Sequence, residues 1–102
     1  METKVVEIGT HHGLLKRMRY HEEFKYNHSS NTIVLFEVGN HLETYDNDAR
    51  TIARYLGITL SKSLKIDSVE FPNRALDTYL PKLIRYGFSI AIIGKDFFTE
   101  IK

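Results

Sequence analysis

Cysteine is absent from these 102 residues. That excludes disulfides, thiolate nucleophiles and every zinc site built on sulfur, and it fits a reducing cytoplasm. Long apolar runs are missing too. The longest uncharged one, Phe88-Ser89-Ile90-Ala91-Ile92-Ile93, is about a third of a membrane span, so no membrane is expected among its partners. No basic-then-apolar stretch opens the chain, so nothing in it marks secretion, and the expected location is cytoplasmic. An excess of one charge is also lacking: 14 Lys+Arg against 13 Asp+Glu leave a formal net charge of +1. A domain that holds duplex DNA alone usually carries a clear basic excess, because neutralised phosphates supply much of the affinity. Nucleic acid is therefore expected to be held weakly, locally, or beside a protein partner that supplies further contacts.

Glycine is sparse, and its spacing excludes more. Gly9, Gly13, Gly39, Gly57, Gly87 and Gly94 form neither GxGxxG nor GxxxxGK[ST], so no loop of backbone amides cradles phosphates and nucleotide hydrolysis is not expected. The five histidines offer no metal-ligand spacing: His11 and His12 are adjacent, and no HExxH occurs. They are read as solvated, with no metal and no cofactor. The serines lie in ordinary turn or strand contexts without a base and an orienting acid. The expectation is a protein that is not an enzyme.

What is present is the composition of a soluble globular domain, with 42% hydrophobic and 26% charged residues. The length suits one domain with one core. Residues 1–12 read as a flexible lead-in, 13–95 as the domain and 96–102 as a tail that frays or adds a short helix. Leu14 to Asn27 reads as a helix, with Leu14/Met18 and Tyr20/Phe24 four apart. Thr32 to Val38 is β-branched and nearly all apolar, which predicts a strand covered on both faces. Asp46-Asn47-Asp48 reads as the capped start of a helix whose apolar positions are Ala49, Ile52, Ala53 and Leu56, with Gly57 as its stop. Ile58-Thr59-Leu60-Ser61 alternates as a short strand, Lys62 to Asp67 is a turn, and Ser68 to Phe71 is a further strand. Pro72-Asn73 opens a third helix carrying Leu76, Tyr79, Leu80 and Leu83, with a kink or a broken turn at Pro81. Phe88 to Ile93 is a second buried strand. The expected core is Val34, Phe36, Ile90 and Ile92, covered by Ile52, Leu56, Leu80 and Leu83. Two buried strands with three amphipathic helices define a layered α/β domain with one sheet.

The segment Val38-Gly39-Asn40-His41-Leu42-Glu43-Thr44-Tyr45 follows a buried strand and precedes a helix, a usual address for a binding site in α/β folds. As extended chain it puts His41 and Glu43 on one face. A flat ring beside a carboxylate suits a nucleobase, stacking on one and hydrogen-bonding its edge with the other. The bland alternative is a surface His and Glu at a sheet end.

The stretch Leu35-Phe36-Glu37-Val38-Gly39-Asn40-His41-Leu42-Glu43-Thr44-Tyr45 resembles the pattern LFFRxGDFYExF of the N-terminal, mismatch-recognition domain of the MutS DNA-repair proteins. Asp48-Ala49 and Leu56-Gly57-Ile58-Thr59-Leu60-Ser61-Lys62 are similar to that domain's DA and LxITLTKR. Phe71-Pro72 and Ala75 to Leu83 resemble GxPYHAxxxYLxKL, and Gly87 to Ile92 resembles GYKVAICEQ. The matches are collinear over about residues 20 to 95. The resemblance implies a single mixed β-sheet surrounded by helices. It also implies a DNA-binding module, in which the family's Phe wedges against the mismatched base and its Glu hydrogen-bonds it. By position the Glu is Glu43, while the wedge is His41. Asn40 stands for the family's Asp, Glu37 for its Arg, and Asn73-Arg74 for its YH. Asn40, His41, Glu43, Lys62 and Arg74 are thus the candidate DNA-binding residues, with mismatched, distorted or single-stranded DNA as the ligand. The connector, lever, clamp and ATPase regions of longer family members have no counterpart in this sequence, so a stand-alone reading domain is the expectation. Family members without the wedge Phe keep the fold without reading mismatches, which makes a protein-interaction or regulatory module the alternative.

Overall fold

The computed structural model describes residues 3–6, 13–27, 31–94 and 98–101. In chain order the elements are β1 (Thr3–Val6), α1 (Leu14–Asn27), β2 (Thr32–Val38), β3 (His41–Tyr45), α2 (Asp46–Leu56), β4 (Ser61–Ser63) and β5 (Ile66–Pro72). A 3₁₀ turn (Asn73–Ala75), α3 (Leu76–Arg85), β6 (Ser89–Ile93) and β7 (Phe98–Ile101) complete it. All strands join one mixed seven-stranded sheet in the order β1-β7-β6-β2-β3-β5-β4. Among the described residues only the β2–β6 pair is parallel, with Thr32 opposite Ser89 and Phe36 opposite Ile93. The crossover between them carries α3 over the sheet.

β2 and β6 sit inside the sheet because both their faces are apolar. Thr32 through Phe36 are all buried, as are Ile90 through Ile93. The side chains divide between two layers. Val34, Phe36, Ala91 and Ile93 pack with Phe24 and Tyr45 on the α1 face. Ile33, Leu35, Ile90 and Ile92 pack with Ile52 and Leu83 on the face covered by α2 and α3. The expected core residues are all buried, but strand alternation places Val34 and Phe36 under α1, not under the helices that cover Ile90 and Ile92. Leu56 and Leu80 pack on the second layer while partly exposed.

Several local expectations change. Residues 3–6 of the expected lead-in form β1, and residues 98–101 of the tail form β7. β7 pairs with β6 and β1 with β7, both antiparallel. β6 would otherwise end the sheet as an unpaired, fully apolar edge, which proteins avoid. Residues 58–60 are irregular, and the strand there is confined to Ser61–Ser63, where β5 offers a partner. The third helix opens with a 3₁₀ turn, and its α-helical part runs through the exposed Pro81.

Asp48 is not a cap. It is 1% exposed, and no side chain caps α2. β3 turns away into α2 after Tyr45, leaving Val34 N–H without a strand partner on that side. Asp48 Oδ2 accepts that N–H at 3.0 Å and also lies 2.8 Å from His21 Nε2. Lys25 Nζ donates to Asp48 Oδ1 at 2.9 Å and to the carbonyl of Thr32. His21, read from sequence as solvated, is 5% exposed. The cluster locks α1 to the start of α2 and to β2. Removing one member of such a buried set leaves the others uncompensated, typically at a cost of about 3–5 kcal/mol. Among the described residues, no helix is long and apolar enough to cross a membrane.

Candidate nucleic-acid interface

The β2–β3 hairpin presents the candidate residues. Val38 pairs with His41, so Gly39 and Asn40 form a two-residue loop. Gly39 has φ of 60°, and a first loop position with positive φ calls for glycine in such tight hairpins. The Asn40 carbonyl accepts the Asn73 N–H at 2.9 Å, and His41 pairs with Pro72. These two contacts bring Asn40, His41 and Arg74 to one end of the sheet, where all three are exposed.

His41, Glu43 and Tyr45 share the α1 face, since Leu42 packs in the opposite layer. Tyr45 is buried under α1, Glu43 is half-buried beside it, and His41 lies in solvent beyond it. Glu43 is not loose. Its Oε1 accepts the Tyr45 hydroxyl at 2.9 Å and Arg17 Nη2 at 3.5 Å, while Arg17 Nε donates to the Tyr45 oxygen at 2.8 Å. This closed set of three occupies one carboxylate oxygen. Burial pushes the Tyr45 phenol well above its ordinary range, with the nearby Glu43 adding to the shift and Arg17 opposing it. Glu43 also stands opposite Glu70 across the β3–β5 pair. Both line a cleft of about 250 Å³ with Ser61, Lys62, Ser63 and Ser68.

Lys62 borders the cleft but turns its side chain elsewhere. It pairs with Asp67, whereas Ser68 pairs with Tyr45, so alternation puts Lys62 on the face opposite His41 and Glu43. Its Nζ lies 2.6 Å from Asp67 Oδ1, and Arg50 Nη1 lies 2.7 Å from Asp67 Oδ2. The hydrogen bond from Lys62, then that from Arg50, holds the Asp67 carboxyl below its usual range. Four of the five candidates thus share a face or an end, and the fifth is engaged behind the sheet. Arg17 and Tyr45 escaped the sequence reading. The only signal for Tyr45 was a hydroxylated ring where the LFFRxGDFYExF pattern has Phe, and for Arg17 there was none. Among the described residues, no group of three or more His, Asp or Glu side chains is placed to hold a metal ion.

A mixed sheet between one helix and two, with a hairpin end carrying an exposed ring and a fixed carboxylate, defines a small three-layer α/β domain. Residues 16–97 match the family model of MutS domain I, and the chain belongs to that family. It is 42% identical over 80 residues to the DNA mismatch repair protein MutS of Salinibacter ruber, covering 74% of this chain and 9% of that protein. MutS of Bacteroides fragilis is 48% identical over 65 residues, covering 59% of this chain and 8% of the relative. MutS of Methanosarcina barkeri is 42% identical over 67 residues, covering 60% and 7%. The chain therefore spans less than a tenth of the length of these relatives.

Proposed function

We propose that this chain is a non-enzymatic DNA-contacting module that reads an exposed or distorted base with His41 and Glu43. The observation that supports it best is the exposed His41 ring on the same face as a Glu43 carboxylate fixed by two donors, in a MutS domain I chain. His41 supplies the stacking surface. Glu43 keeps one oxygen clear of Tyr45 and Arg17 for the base edge, and Asn40 and Arg74 flank the entering strand. Mismatched, distorted or single-stranded DNA is the ligand, with a protein partner supplying the phosphate contacts that a net charge of +1 does not. Lys62 joins only if it leaves Asp67.

One observation favours a second reading, a protein-interaction module that has lost base reading. Glu43 faces Glu70 across the strands, so two carboxylates share this face, and Arg17 engages only one oxygen of Glu43. Such a surface suits a basic protein partner as well as a base edge.

Amide chemical shifts followed during titration with homoduplex, mismatched and single-stranded DNA at low salt separate the two. With the mismatched duplex the expected result is a set of shifts at residues 39–45 and 73–74. Stacking of a base on an aromatic ring is worth about 1–3 kcal/mol, so His41→Ala should weaken binding by roughly five- to a hundredfold. His41→Phe restores the family wedge and should raise the preference for mismatched over paired DNA. Identical affinities for wild type, His41→Ala, His41→Phe and Glu43→Ala would hand the site to the interaction reading.

A further inference from the structure

A second feature lies at the other end of the molecule, where α2 and α3 both finish. Tyr55, Tyr86 and Phe88 form a ring cluster. The Tyr55 centroid is 4.8 Å from that of Tyr86 and 5.2 Å from that of Phe88. Tyr55 is the keystone, 39% exposed, with the Arg54 guanidinium 5.9 Å over its ring. Tyr86 is 59% exposed and leans on Tyr55. It is fixed from behind, since its N–H bonds the Lys82 carbonyl at 3.1 Å and the Gly87 N–H bonds Ile84 at 2.9 Å. Phe88 packs on the core, whereas Tyr55 and Tyr86 belong to neither of its layers.

The segments that carry the rings have charge of one sign. No acidic residue occurs between Ala49 and Ile66 or between Thr78 and Gly94. Arg54, Lys82 and Arg85 are exposed, and among the described residues none of them forms an ion pair. The cationic side chains in the last turns also offset the partial negative charge of the two helix C-termini. Exposed aromatic faces interleaved with unpaired guanidinium groups are the composition of single-strand nucleic-acid platforms, where bases stack and phosphates meet arginine.

We propose that Tyr86 and Tyr55, with Arg54 and Arg85, form a second nucleic-acid site that takes a single-stranded segment by base stacking. It is distinct from the His41 end. α3 begins next to Asn40 and leaves at Tyr86, and its ten residues span about 15 Å. The His41 end meets a base with a ring and a carboxylate, whereas this platform has rings and cations only. It is therefore indifferent to base identity and drawn to the backbone.

The test is fluorescence anisotropy of a short labelled oligothymidylate with the full chain at low salt. Tyr86→Ala should weaken binding about five- to a hundredfold, Arg85→Gln should weaken it and flatten its salt dependence, and Tyr86→Phe, which keeps the ring, should bind as wild type does. In His41→Ala the oligothymidylate shifts at residues 54–55 and 85–88 should persist, and in Tyr86→Ala those at residues 39–45 should, so a failure of the base-reading end is separable from a failure of this site. Amide shifts should cluster at residues 54–55 and 85–88. Absence of oligothymidylate binding, or equal affinities of wild type and Tyr86→Ala, overturns the proposal. Concentration-dependent self-association that Tyr86→Ala abolishes, without oligothymidylate binding, would assign the rings to a second copy of the chain instead.

Discussion

Tyr45 shows how one oxygen atom changes a site. A Phe there would fill the same space under α1 but leave Glu43 to Arg17 alone, at 3.5 Å. The hydroxyl supplies the shorter bond, 2.9 Å, and ties Arg17 in as well. Because burial raises the phenol's pKa above that of the unfolded chain, the neutral ring is favoured by folding. Its contribution is complete below the unfolded tyrosine value, about 10, and is lost as pH climbs toward the raised folded value. Tyr45→Phe should therefore resist alkaline unfolding better than wild type above about pH 10, while binding DNA with a less ordered Glu43. Denaturant midpoints across the alkaline range check this, and parallel losses in both proteins would contradict it. Alternation along the strand was enough to put His41 and Glu43 on one face. It could not supply Arg17, which lies 26 residues away and meets Glu43 only through the docking of α1. The same holds for Asp48: a carboxylate in a first helical turn reads as a cap until β3 is seen to turn away from Val34.

At the scale of elements, helices were legible and strand partners were not. Leu14 to Asn27, read from two apolar pairs four apart, and the helix ended by Gly57, read from a 3.6-residue stripe, stand where those spacings put them, because both are local properties. Ile58-Thr59-Leu60 alternates just as well but stays outside the β4–β5 ladder, which stops at Ser61 opposite Ser68, and alternation carries no record of where a ladder stops. The β4–β5 hairpin is the case with most strain. Its loop residues Leu64 and Lys65 have φ of 50° and 67°. Two successive positive values are what a type I′ turn requires, and Asn-Gly is its preferred pair. Left-handed backbone costs a residue with a Cβ roughly 1–2 kcal/mol. Leu64 is 61% exposed, so little packing is lost on replacing it. Leu64→Asn with Lys65→Gly should raise stability by about 1–2 kcal/mol and the thermal midpoint by several degrees. An unchanged or lower midpoint in calorimetry would show that the loop is not the strained feature these angles make it.

The whole molecule combines a well-filled sheet with almost no net charge, and under the proposed function this sets the kind of DNA contact open to it. Affinity gained from phosphates appears as a salt slope, with log Kobs falling by about 0.9 per phosphate contact against log salt on B-DNA. At the His41 end Arg74 is the exposed cation among the candidates, and Lys62 is bound to Asp67 behind the sheet. One or two contacts predict a slope between about −1 and −2 for a mismatched duplex. Arg74→Ala should make the slope shallower by about one, and Lys62→Ala should leave it where it was. His41→Ala should lower affinity at every salt concentration without altering the slope, since stacking releases no counterions. A wild-type slope steeper than about −4 would require more phosphate contacts than this end carries. The duplex would then have to reach the arginines beyond α2 and α3 as well, and Arg54→Gln or Arg85→Gln would reduce the slope where Arg74→Ala did not.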